Sequence, residues 1–580
     1  MAIQTKVQQL ILSLERGQLG LIIRIAAVTT LIISLTLLYL FVQFIGLGDP
    51  AAMDQAQIAR NIASGQGFTT DMITPRALAT LKDSGKLPSS GTPIDLKAFP
   101  DLYNMPLVPF LNALPLSLIK NNWKMSSTDL IYLGDRLLAF FSIVFMLLAL
   151  AIWFFVFMRL FDSKIALLAC CGVLLTDLIW QLSLSALPQM VVMLFFGLAS
   201  LFTVIAEEEQ AMGNTIKTII FLAATGLCFG LMILAHGLST WIFFGWALYA
   251  GIVFQPRGLI FLVTIGTGLL VVAPWLVRNL LECGNPFGLA ITGILDPRDP
   301  YTEFLRINQP ETPQSIVAAL RTGLTNQLGS LPSYIGLNIA AAMFFTAIFH
   351  PFRNPSTSLF RWALLSMWAF ALVGMCFFEP TKPVSANQLH AVFIPPFVCY
   401  GLAFLLVLWG RWEITLPFLR TIFISFILFL CAIPLIAQLL GGQNRRIQWP
   451  PYVPPFISVI SNWFEENEVI ASDMPWAVAW YGQRTSLLLP QTVREFNELH
   501  DYRQFAQQIQ GLYITPVSGN RQLFSEIYKG PFAEWAALIT RPPRTQGFPL
   551  TSLVTLPIDG ECVLFADRER WAKPSKEDEE

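Results

Sequence analysis

Between residues 20 and 440 this chain repeatedly runs the width of a membrane with almost no charge. A helix needs about 20 apolar residues to cross some 30 Å of hydrocarbon. Runs of that kind fall at Leu21–Ile45, Leu133–Met158, Ile165–Leu182, Met190–Ala206, Ile219–Ala235 and Leu238–Phe254. They continue at Leu259–Val277, Tyr334–Phe349, Leu359–Phe378, Ala391–Leu408 and Phe418–Leu440. That is about eleven expected spans. Charged residues make up 13% of the 580 residues, against about 25% in a soluble domain. The expected fold is therefore a polytopic α-helical membrane protein. The net charge of −1 gives no basic surplus for nucleic acid.

Lys6, Arg16 and Arg24 stand before or within the first run, and cations there favour a cytoplasmic N-terminus. The polar stretch Met1–Gln18 and the length of the run after it do not read as a cleavable signal. Residues 48–127 and 279–333 then form two outer loops, and an odd number of spans leaves the C-terminus outside. The membrane part is expected over 1–440, a Pro-rich linker containing WPPYVPP over 441–455, and a soluble α/β domain over 456–570. The tail 571–580 is expected to be disordered. In the soluble part, Val469–Ser472, Thr485–Leu489, Gly511–Thr515 and Cys562–Ala566 read as strands, and Pro475–Tyr481 and Tyr502–Gln510 as helices. Six of the eight cysteines lie in apolar runs and read as small hydrophobes. Cys283 and Cys562 are expected as unpaired thiols. With no CxxC and four scattered histidines, no histidine/cysteine metal site is expected.

The first outer loop opens with GDPAAMDQAQIARNIASGQGF. Asp49 reads as an N-cap and Pro50 as the first helical residue, with Gly65 and Gly67 as stop signals. Asp54, Gln57 and Asn61 share one face and four alanines another. Asp54 lies past the capping positions, so it is the candidate general base. Candidate substrate contacts are Asp49, Gln57, Arg60, Asp101 in PDLYN, Arg136 beside Asp135, His236 in LAHGLS, Arg278 and Asn279 in APWLVRN, and His390 in NQLHAVF. The cations stand where a lipid phosphate would lie, and snorkelling toward water is their bland alternative. The Pro-rich stretch FPDLYNMPLVPFLNALPL suits a helix lying in the membrane interface. Outward acid, outward cations and large outer loops fit transfer of a group from a lipid-phosphate donor.

The pieces QIARNIASGQGF, PDLYNMPLVPFLNAL, GDRLLAFFSIVFMLLALAIWFFVFMRLF, APWLVRNLLECGNPFG and SDMPWAVAWYGQRTSLLLP resemble the GT-C superfamily of polytopic glycosyltransferases. That superfamily holds protein O-mannosyltransferases and lipid A aminoarabinose transferases. The resemblance implies an inverting sugar transfer from a polyprenyl-phosphate donor to an envelope glycan, lipid or protein, at the outer face of a bacterial inner membrane. Members often carry an acidic pair where this chain has Ala51-Ala52, and an acid at the position of Gln189. Some members use a divalent metal; none is expected here. Two other readings stay open: a transporter or flippase of lipid-linked sugars, and an inactive relative acting as an envelope scaffold.

Overall fold

The computed structural model describes residues 18–86, 99–120, 123–125, 129, 131–289, 316–378, 382–412, 417–441, 454–501, 508–519, 527–528, 532–540, 548–556 and 562–571. Residues 442–453 of the expected linker, 572–580 of the tail, 290–315 of the second outer loop and residues 502–507 lie outside that set.

The membrane part begins with α1 (Gln18–Leu37), which continues as a π-turn over Leu38–Gln43. The first loop contributes α2 (Pro50–Ser64), α3 (Pro75–Asp83) and α4 (Leu107–Leu118). Then come α5 (Leu133–Leu160), α6 (Ser163–Leu174), α7 (Asp177–Leu184), α8 (Gln189–Ala211), α9 (Thr215–Ala235), α10 (Ser239–Val253) and α11 (Arg257–Cys283). After the second loop follow α12 (Ile316–Gly329), α13 (Leu331–Tyr334), α14 (Ile339–Ala347), α15 (Pro355–Phe377), α16 (Ile394–Gly410) and α17 (Pro417–Gly441). Among the described residues eight helices are long and apolar enough to span, or nine if α6 and α7 count as one.

Three of the eleven expected runs do not form one long unbroken helix, and polar side chains explain two of the three. The run Ile165–Leu182 is bent by 61° between α6 and α7. Its Asp177 carboxylate accepts the Tyr39 hydroxyl and the Gln181 amide at 2.5 Å each, so a polar knot sits where a smooth span was expected. In Tyr334–Phe349 the helix restarts at Asn338, whose side chain caps the N–H groups of Ala340 and Ala341. That leaves only the 9 residues of α14. The third, α10, is apolar but 15 residues long. On α4, Phe110, Leu114 and Leu118 are exposed on one side, as an interfacial helix requires.

The soluble part carries a six-stranded sheet in the order β1-β3-β2-β4-β6-β5. Its strands are β1 (Met72–Ile73), β2 (Val469–Ser472), β3 (Thr485–Leu488), β4 (Ile509–Ile514), β5 (Ser552–Leu556) and β6 (Cys562–Ala566). Pairing is parallel from β1 through β4 and antiparallel for β6 and β5. β1 comes from the first outer loop, pairing Met72 with Ser486 and Ile73 with Leu487. Most of the helix expected over Tyr502–Gln510 lies outside the described residues; a helix runs over Val493–Asp501, and β4 is under way by Gln510. All eight cysteines are free thiols.

Loop, sheet and bundle are locked together by one buried cluster. Arg60 on α2 donates to the carbonyls of Trp480 at 2.8 Å and Ala479 at 2.7 Å, and its guanidinium lies over the Trp480 ring. Trp480 and Tyr481 in turn donate to the two oxygens of Asp135 at 2.7 Å each, at the start of α5. The Leu47 N–H adds a third bond at 3.3 Å. Charge-assisted bonds of this kind are the stronger ones, and removing one partner leaves the others buried and unpaired.

Candidate functional site

The sequence of α2 sets its own ends. Asp49 caps the Ala51 N–H at 3.0 Å, Pro50 follows, and Gly65 closes the helix at φ 89°, the left-handed region open to glycine. Two different environments meet this helix. Beneath it, Asp54 accepts the Gln57 amide at 3.1 Å and the Asn104 amide at 2.8 Å. The same Asn104 amide reaches Asp101 at 3.2 Å, and Asp101 also accepts the N–H groups of Tyr103 and Asn104. Gln57 further bonds Thr70 and the Asp71 N–H. Asp54 lines a crevice of about 20 Å³ together with Asp101. Burial pushes the Asp101 carboxyl up from its ordinary range, against the pull of the Asn104 N–H and Arg278.

At the start of α2 the setting is open. A cavity of about 570 Å³ is lined at one end by Asp49, Gln55, Asn104, His236, Asn279 and Lys382. The Lys382 ammonium stands 3.8 Å from Asp49. His236 closes α9; its Nδ1 accepts the Leu238 N–H at 3.3 Å, and the ring bonds the Ala386 backbone and the Asn387 side chain. Burial drops its pKa to about 4, so the ring is neutral at pH 7. The far walls are apolar, from Phe229 and Ile233 on α9, Phe244 on α10, and Ile265, Leu269 and Val272 on α11. Helices α9 and α11 lie close because a Cβ on Gly226 would stand 2.3 Å from the Thr264 carbonyl, and one on Gly230 2.8 Å from that of Gly268. Phe244, Ile265 and Leu269 are also exposed, so the apolar end is not sealed inside packed protein.

A scan against protein-family models returns no match, and neither does a comparison with curated protein sequences. Solved structures do match. ArnT from Cupriavidus metallidurans in the apo state superposes with a TM-score of 0.52 at 13% identity, over 95% of this chain and 99% of that one. The same protein bound to undecaprenyl phosphate gives 0.51 at 12% identity, with the same coverage of 95% and 99%. The Archaeoglobus fulgidus oligosaccharyltransferase in complex with Zn and sulfate gives 0.51 at 14% identity, over 88% of this chain and 70% of that one. This chain has the GT-C fold.

On this GT-C scaffold the residues singled out in the sequence divide. Asp49, His236 and Asn279 meet at the large cavity. Asp54, Gln57 and Asp101 form the buried network behind it. Arg278 donates to the carbonyls of Asp101 and Phe68 and stacks on Phe68 and Trp275, tying α11 to the first loop. Arg60 belongs to the lock with Trp480. Arg136 lies over the Phe41 ring. His390 accepts the Trp368 N–H at 3.0 Å, pairs with Gln327 and stacks on Tyr334 inside the bundle.

Among the described residues the carboxylates do not form a set that fits a divalent metal. Among the described residues no three of His, Cys, Asp and Glu come together. Asp54 and Asp101 share an amide donor, and Asp49 faces an ammonium. Gln55, Asn104, Lys382 and Asn387 were not picked out from the sequence. Lys382 carried one usable signal, a cation in the short connection between two expected spans, with Pro383 after it.

Proposed function

We propose that this protein is a membrane glycosyltransferase that moves a sugar from a polyprenyl-phosphate donor to an envelope glycan, lipid or protein at the outer face of a bacterial inner membrane. In this reading the N-terminus is cytoplasmic and the sheet domain extracytoplasmic. One observation carries it: a single cavity joins a polar end holding a carboxylate and a cation to an apolar wall on membrane-spanning helices. An amphiphile with a charged head and a long hydrocarbon tail matches that gradient, and few soluble metabolites would. The likeness to ArnT bound to undecaprenyl phosphate agrees with it.

The donor phosphate lies at Lys382, whose ammonium stabilises charge as the phosphate leaves. The acceptor hydroxyl gives its proton to the Asp49 carboxylate while its oxygen attacks the anomeric carbon. The bond from that carbon to the phosphate oxygen breaks, with inversion, and polyprenyl phosphate departs. The role first expected of Asp54 passes to Asp49, because Asp49 lines the cavity and Asp54 does not. Asp54 instead holds Asn104, which does line it.

The test uses the purified full chain in vesicles containing a polyprenyl-phosphate sugar and an envelope extract as acceptor. Transfer by the wild type, lost in Asp49→Asn, supports the reading. Flipping of the donor across the bilayer without product would replace it with the transporter reading.

A further inference from the structure

Gln189, the first residue of α8, is fully buried. Its side-chain amide donates to three consecutive-region carbonyls: Ser385 at 2.7 Å, Ala386 at 2.8 Å and Gln388 at 3.2 Å. Only the NH₂ end of an amide can face three carbonyls, so the orientation of the group is fixed by its surroundings. The segment it holds is a wall of the large cavity, to which Ser385, Ala386, Asn387 and Lys382 contribute. His236 grips the same segment from α9 at Ala386 and Asn387. The Gln388 side chain pins its end, donating to the Tyr334 carbonyl and accepting the Ala391 N–H. Lys382 lies three residues before the first clamped carbonyl, and Pro383 stiffens the tether between them.

We propose that Gln189 is a positioning residue for donor binding: it clamps the 385–388 segment so that Lys382 is presented over Asp49. This rests on the donor reading above. Gln189 touches neither substrate nor reacting atoms; it acts through Lys382. Without the clamp, the carbonyls of Ser385, Ala386 and Gln388 lose this donor and the segment moves to find others. The ammonium then no longer waits at the phosphate position, and the cost of ordering it falls on binding.

The experiment measures undecaprenyl phosphate binding to the full chain by native mass spectrometry, for wild type, Gln189→Leu, Lys382→Ala and the double variant. Gln189→Leu is expected to bind about tenfold more weakly, and the double variant no more weakly than Lys382→Ala alone, because both changes remove one interaction. Gln189→Glu should bind better near pH 5 than near pH 8, since only the protonated carboxyl keeps a donor for the carbonyls. Wild-type affinity in Gln189→Leu, or losses that simply add in the double variant, would overturn the proposal. Should the wild type bind no undecaprenyl phosphate, the donor reading falls by itself. The clamp is then judged by hydrogen exchange over 382–388, which must be faster in Gln189→Leu and would contradict the clamp if unchanged.

Discussion

The two carboxylates of α2 stand five residues apart and live in opposite conditions. Asp54 is held by amides from Gln57 and Asn104 at hydrogen-bond distance, deep behind the first loop. Asp49 caps its own helix and stands 3.8 Å from Lys382, on the wall of a cavity of about 570 Å³. A carboxylate wrapped in donors is stabilised where it is and gives up little to an incoming hydroxyl. One on a cavity wall beside a cation is within reach of an incoming ligand. Position on a helix face alone did not separate the two; the neighbours did.

Breaking the open side should have the largest effect. Asp49→Asn keeps the helix cap but removes the base, and transfer should fall by about 10²–10⁴-fold with the melting temperature unchanged. Activity within tenfold of wild type would return the base to Asp54 or elsewhere. Lys382→Ala should raise the donor KM by about tenfold and lower kcat as well, because the ammonium both binds the phosphate and steadies the charge it gains on leaving.

On the closed side the expected loss is stability. Asp54→Asn turns one of two acceptor oxygens into a donor, so that either the Gln57 or the Asn104 amide is met donor to donor. It should cost about 1–3 kcal/mol, read as a lower melting temperature with most of the transfer rate retained. A collapse of kcat with normal folding would reverse the assignment of the two acids.

What could be read from the sequence depended on how local its cause was. The caps of α2, the Asp49–Pro50 start and the Gly65 stop are written within one short stretch, and they stand as expected. Strands β2, β3, β4 and β6 were likewise legible from short runs of β-branched and apolar residues. β1 is two residues long and exists only because β3 offers an edge, so no local pattern announces it. Arg60 was expected as a substrate contact and Arg278 at the lipid phosphate. Their forked donors are occupied instead by backbone carbonyls of the loop and the sheet domain. Lys382, 333 positions after Asp49 in the chain, is brought opposite it only by the packing of the bundle.

The smallest effect concerns the sheet domain, away from the cavity. Burial pushes the Asp473 carboxyl up to about 7, although the N–H groups of Thr515 and Ser518 and the Thr515 hydroxyl all favour its charged form. The folded state therefore holds this proton more tightly than the unfolded chain, whose aspartate titrates near pH ~3.9. Its contribution is fully present at low pH and is lost as the pH rises from about 4 to 7. Thermal melts across that window should show the decline, and Asp473→Asn should flatten it; a slope of the opposite sign would show that the carboxyl is not proton-bound in the fold.

The most direct measurement is a cryo-electron microscopy structure of the full chain in a lipid nanodisc loaded with undecaprenyl phosphate. The expected result is density for the phosphate within about 4 Å of the Lys382 ammonium, with the hydrocarbon chain running along Ile265, Leu269 and Phe244. Density for the phosphate at Arg278 or beside Asp54, with the large cavity empty, would contradict it.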